Sequence, residues 1–136
     1  MKTEYDLAGK VIGLAMKVHS TLGTWFLESV YHKALAHELT KAGFRFESEK
    51  PLHVAYDGAL VGEFVVDLLI ENELVVELKA VYSLATAHEV QTANYLVATG
   101  KDVGLLINFG SERLEFKKKF RLLKKDSENS VILSKQ

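Results

Sequence analysis

The stretch from Val66 to Val81, VDLLIENELVVELKAV, decides the fold. It reads as two apolar strands around a short polar turn, with Asp67 in the first strand and Glu77 and Lys79 in the second. Side chains alternate along a strand, so Leu74, Val76, Leu78 and Ala80 share one face, and Val75, Glu77, Lys79 and Val81 share the other. Register then decides what Asp67 can do. If the turn holds three residues, 71 to 73, Ile70 pairs with Leu74 and Asp67 falls opposite Glu77; a two-residue turn separates the carboxylates onto opposite faces. Two carboxylates and an ammonium on one face offer hard oxygen ligands to Mg²⁺ or Mn²⁺, which use one or two carboxylates and fill the rest of their shell with water and phosphate oxygens. Such an ion acts on a phosphoryl oxygen and on water. Lys79 would orient the water or stabilise charge on the phosphate. This chemistry requires the three-residue turn. On spacing alone, a structural ion pair with Lys79 between the two carboxylates carries equal weight.

Working outward, Leu7, Val11, Leu14, Val18 and Leu22 recur at helical steps, and Gly23 ends that helix. A second helix is expected from about Leu27 to Ala42, with Val30, Ala34, Leu35 and Leu39 inward and Gly43 at its end. FRFESE alternates as a half-buried strand does, and Pro51 is expected to interrupt it before LHVAY. Asp57-Gly58 is a hairpin signal. A third helix spans about Leu84 to Thr99, closed by Gly100. VGLLINF suits a buried strand, and LEFKKKFRLL suits a last, exposed one. The order ααβββαββ predicts an α/β fold, a mixed sheet flanked by helices.

The 136 residues suit one domain over 1–125, with a polar tail over 126–136. The absence of cysteine excludes disulfides and thiolate metal sites and fits a reducing cytoplasm, the expected compartment. The N-terminus is not that of a signal peptide, and no apolar run could span a bilayer. A net charge of -1 gives no global attraction to nucleic acid, so such binding must rest on local features.

Asp67 followed by Glu77-Leu78-Lys79 resembles the split D…(D/E)xK signature of the PD-(D/E)xK nuclease superfamily. Gln91 and Tyr95, four apart on the third helix, match the Q-x-x-x-Y signature of its RecB-type branch. KVHSTLGTWFLESVYHKALAHEL, HEVQTANYL and GLLINF resemble the GxxExxY protein family, with His19, Glu28 and Tyr31 at matching positions. The likeness runs from about Leu7 to Phe109. It implies a restriction-endonuclease-like core and a nuclease hydrolysing phosphodiester bonds with Mg²⁺ or Mn²⁺. By position, Asp67 and Glu77 would bind the metal, with Glu28 adding a carboxylate directly or through water and His19 a further ligand. Lys79 would be the catalytic lysine, Gln91 would position water or phosphate, and Tyr95 would support the site. Trp25 departs from the family pattern: it stands where the family has the glycine that names the GxxExxY motif, and an indole there would reshape the approach to the site.

Plainer readings stand beside these. His19 suits a partly buried structural histidine, Glu28 suits a helix start on electrostatic grounds, and Tyr31 reads as structural. His88-Glu89 is not a metalloprotease motif, since position 92 is Thr92. RLEFKKKFRLLKK would either grip a phosphate backbone or protect a sheet edge. Three functions compete. One is a nuclease acting on nucleic acid, DNA foremost. The second is an inactive nuclease-like module binding nucleic acid or a protein partner. The third is a structural domain that forms a homodimer through its helical face.

Overall fold

The apolar repeat at the start of the chain forms α1 (Glu4–Leu22), and Leu7, Val11 and Val18 are buried along it. Gly23 stops the helix by taking φ +77°, a left-handed angle that costs glycine little, and its N–H closes onto the His19 carbonyl. In α2 (Glu28–Lys41) the buried residues are Tyr31, Leu35 and Leu39. Val30, expected inward, is exposed, because the buried stripe runs at four-residue steps from Tyr31 and Val30 lies about 100° round the helix from it. The chain is described here from a computed structural model covering residues 4–121; the tail at 126–136 lies outside the described residues.

Three strands follow: β1 (Phe46–Tyr56), β2 (Ala59–Ile70) and β3 (Leu74–Lys79). Then come α3 (Thr86–Thr99), β4 (Val103–Asn108) and β5 (Glu115–Phe120). They build one five-stranded sheet in the order β1-β2-β3-β4-β5. β3 and β4 pair in parallel across the α3 crossover, and the other pairs are antiparallel. The expected α/β class and ααβββαββ order are those observed. Asp57 and Gly58 both take positive φ between the paired Tyr56 and Ala59, the hairpin geometry their sequence signals. Pro51 does not break β1. The strand runs through it, and β1 lies at the sheet edge, where a residue without an N–H is tolerated.

Each face of the sheet carries its own core. Leu68, Ile70, Leu74, Val76 and Leu78 pack with α1 and α2 on one side. Leu69 and Val75 pack with Tyr95 and Leu96 of α3 on the other. β4 is buried along its whole length, as a central strand covered on both faces must be. α3 crosses β4 at Gly104, where an added Cβ would stand 3.1 Å from Leu96 Cδ2. Among the described residues no helix is long and apolar enough to cross a membrane.

The first core fixes α2 and therefore Glu28 at its N-terminus. Leu35→Ala empties a fully buried position and should cost about 2–5 kcal/mol. In urea unfolding this is expected as a lower midpoint with an unchanged slope.

Candidate active site

The three-residue turn is present: Ile70 pairs with Leu74, Leu69 with Val75 and Leu68 with Val76. The backbone ladder between β2 and β3 stops there. The next positions facing each other are Asp67 and Glu77, and their carboxylates take over from the ladder. Asp67 N–H donates to Glu77 Oε1 at 2.9 Å, and Leu78 N–H donates to Asp67 Oδ2 at 2.8 Å. Each side chain thus satisfies a backbone donor on the opposite strand, which otherwise would be left unpaired at the fork. On the other side of β2, the β1 pairing passes over Glu49 and Asp67, and Glu49 takes φ +54°, an uncommon angle for a residue with a side chain.

This brace is electrostatically costly. Glu77 is only 3% exposed. Burial first, and then the charge of Asp67, push its pKa up to about 8, against the opposing pull of the Asp67 N–H and of Lys79. Lys79, half-buried at the end of β3, forms no salt bridge among the described residues, so the purely structural ion pair is not what is observed. Glu28 enters from the first turn of α2. The helix dipole favours its anion, yet partial desolvation and then the charge of Asp67 raise its pKa, while Lys79 and His32 pull it down. Tyr95 closes the α3 side. It is buried beside Phe64, with ring centroids 5.9 Å apart, and burial followed by the charges of Glu77 and Asp67 lifts its phenol to about 12.

Glu28, Asp67, Glu77, Lys79 and Tyr95 therefore form one electrostatic group. His19 is engaged elsewhere: its Nε2 donates to the Ser111 carbonyl at 2.9 Å and its ring leans on Phe109, which leaves Nδ1 as the nitrogen able to ligate. Gln91 is half-buried one turn before Tyr95, and no hydrogen bond holds its amide among the described residues. Tyr31, read as structural, is fully buried, stacks on Phe109 at 4.8 Å, and uses its hydroxyl to hold the α1–α2 loop.

Sequence reasoning missed two positioning residues. Asn108, fully buried, accepts the N–H groups of Val81 and Gly110 at 2.9 and 3.0 Å and donates to the Val81 carbonyl and to Glu115 Oε1. Glu115 Oε1 also accepts Leu84 N–H at 3.1 Å, and the Asn108 bond keeps its carboxyl below the usual range. Together they fix the chain leaving Lys79. Gly110 completes the fit, since a Cβ there would collide with the Val81 backbone. The available signal was a lone Asn in the apolar run VGLLINF. His32, one helical turn after Glu28, was missed as well.

The donor set suits a hard divalent cation. Beyond the brace the two carboxyl groups face each other and share a hydrogen bond while Glu77 holds its proton, and a cation would relieve their mutual repulsion in place of that proton. Among the described residues, no group of three or more His, Asp or Glu side chains could enclose a metal.

Without metal, folded Glu77 retains a proton between about pH 4.5 and 8 that the unfolded chain releases, so stability falls as pH rises through this window. Glu77→Gln keeps an acceptor for Asp67 N–H and removes the titration. Its metal-free thermal midpoint should match that of the wild type near pH 5 and exceed it at pH 8. Equal midpoints at both pH values would mean that the buried charge is not destabilising.

The crystal structure of SSO0001 is similar to this chain, with a TM-score of 0.58 and 22% sequence identity. The match covers 71% of this chain and 52% of SSO0001, so this chain spans about half the length of that protein, and at such identity the likeness concerns the fold. None of the curated proteins matches the chain. The sequence model of the PD-(D/E)XK nuclease superfamily matches residues 5–120, a span that takes in all five strands together with Glu28, Asp67, Glu77 and Lys79. The chain belongs to the PD-(D/E)XK nuclease superfamily.

Proposed function

We propose that this chain is a metal-dependent nuclease of the GxxExxY type within the RecB-like branch, hydrolysing phosphodiester bonds by attack of water without a covalent intermediate. One observation carries the reading: Asp67 and Glu77, each with one oxygen spent on the opposite strand, face each other beside a lysine that forms no salt bridge among the described residues. When bound, Mg²⁺ or Mn²⁺ would supply Lewis-acid polarisation of the phosphate and lower the pKa of water. Asp67 and Glu77 would hold it, with Glu28 contributing through a bound water, while His19, held by the Ser111 carbonyl, would stay outside the ligand set. Glu77 must release its proton to do so, which makes affinity rise with pH. Lys79 donates to a phosphoryl oxygen or to the attacking water. Tyr95 keeps its proton at any physiological pH, so it serves as a donor and not as a base. Gln91 has a free amide with which to position water or phosphate.

A second reading, a nuclease-like module that relies on a partner for grip on its substrate, has its own support. Two cations of the basic run are already paired: Lys119 of β5 with Glu89 at 3.0 Å and Arg121, just beyond β5, with Asp102 at 2.8 Å. Residues 122–125 of that run lie outside the described residues.

Cleavage of end-labelled DNA and RNA with Mn²⁺, beside Mn²⁺ calorimetry, separates the two readings. Lys79→Ala should lower cleavage by roughly 10²–10³-fold with Mn²⁺ affinity little changed. Glu77→Ala should weaken Mn²⁺ binding. Cleavage undiminished in Lys79→Ala would sink the mechanism. Mn²⁺ binding without cleavage by the wild type would favour the second reading.

A further inference from the structure

We infer that Trp25 and Tyr82 are a stacking platform for unpaired nucleobases, so that the site takes single-stranded nucleic acid in preference to duplex. The inference rests on the nuclease reading for the strand's position at Lys79.

Trp25 is 91% exposed and Tyr82 is 92% exposed. Trp25 lies three residues before Glu28 and Tyr82 three residues after Lys79, within about 11 Å of those residues along the Cα trace. Tyr31, bonded to the loop that carries Trp25, stacks on Phe109, and the Phe109 N–H donates to the Lys79 carbonyl at 2.8 Å, so the two loops lie at the same end of the sheet. Both loops are pinned from below. The Tyr31 hydroxyl donates to the Gly23 carbonyl and accepts Phe26 N–H, bracketing Trp25. Asn108 holds Val81 at both N–H and carbonyl, and Glu115 holds Leu84 N–H, bracketing Tyr82. A buried polar side chain fixes each backbone while the ring above it stays bare. With the backbone already fixed, only the side-chain torsions of the two rings remain to be ordered on binding. Trp25 is unstrained in this role, since among the described non-glycine residues only Glu49, Asp57, Glu71 and Asn72 take positive φ.

Electrostatics selects the occupant. Duplex binding without base contacts draws its affinity from cations on phosphates. Here the net charge is -1, and Lys119 and Arg121 are already paired. Stacking adds affinity, indifferent to sequence, beyond what cations on phosphates supply. The base faces of a duplex are covered by one another, whereas those of a single strand are open to an indole and a phenol.

Trp25 is the only tryptophan, so its fluorescence reports stacking directly. The full chain in EDTA is titrated with oligo(dT), oligo(rU) and a blunt hairpin duplex, and affinities are checked by anisotropy of labelled oligonucleotides. Quenching by one or both single strands, well beyond that by the duplex, is the expected result and also reports the preferred sugar. Trp25→Ala should weaken single-strand binding by about 5- to 100-fold, and Tyr82→Ala in the same range, while Trp25→Phe restores most of it. Thermal midpoints should not move, since both side chains are solvent-exposed. No quenching, equal quenching by duplex, or unchanged affinity in Trp25→Ala would each overturn the inference, the first pointing to a protein contact for Trp25. The nuclease reading is judged separately, on Mn²⁺-dependent cleavage. Quenching without cleavage would remove that reading alone, and cleavage without quenching would remove this inference alone.

Discussion

The exchange of backbone hydrogen bonds for carboxylate bonds at the fork between β2 and β3 is the constraint on which the site depends. A strand that leaves its neighbour exposes N–H groups that must find acceptors. Here Asp67 and Glu77 provide them across the gap, at 2.8 and 2.9 Å. The same contacts hold two carboxylates in a place where neither burial nor mutual charge favours them. The sheet has thus coupled a backbone requirement to an electrostatic load, and a proton or a cation can relieve that load.

Around the fork, the fold rigidifies loops rather than strands. Tyr31 and Asn108 are both fully buried, and both use polar atoms to secure irregular backbone on opposite sides of the site. Phe109 links the two regions, since it follows Asn108 in the chain and stacks on Tyr31. Helix packing, the α1–α2 loop and the β4–β5 turn are therefore mechanically continuous. His19 belongs to this framework through its bond to Ser111. Buried polar groups of this kind contribute mainly when fully satisfied, and no buried side-chain polar atom among the described residues lacks a partner.

The element order and the α/β class were legible in the sequence, because each rests on local periodicity and turn chemistry. Glu71-Asn72-Glu73 could be read as a three-residue turn only by asking which register would bring Asp67 opposite Glu77, and the pairing of Ile70 with Leu74 has that register. Pro51 misled, because its effect depends on whether a strand lies at an edge, which is a property of the whole sheet. Val30 misled for a similar reason: the hydrophobic stripe of α2 could be phased in two ways, and packing against Phe109 chose Tyr31.

What the sequence by itself determined is which residues could meet: alternation placed Glu77 and Lys79 on one face, and helical spacing placed Gln91 and Tyr95 on another. Tertiary structure alone decided their state. The pKa of Glu77 follows from burial beside Asp67, Lys79 forms no salt bridge among the described residues, and Trp25 and Tyr82 are exposed on loops tied down by distant residues. Periodicity is local, whereas desolvation, charge and hydrogen-bond satisfaction are sums over everything nearby in space. No reading of neighbours along the chain contains them.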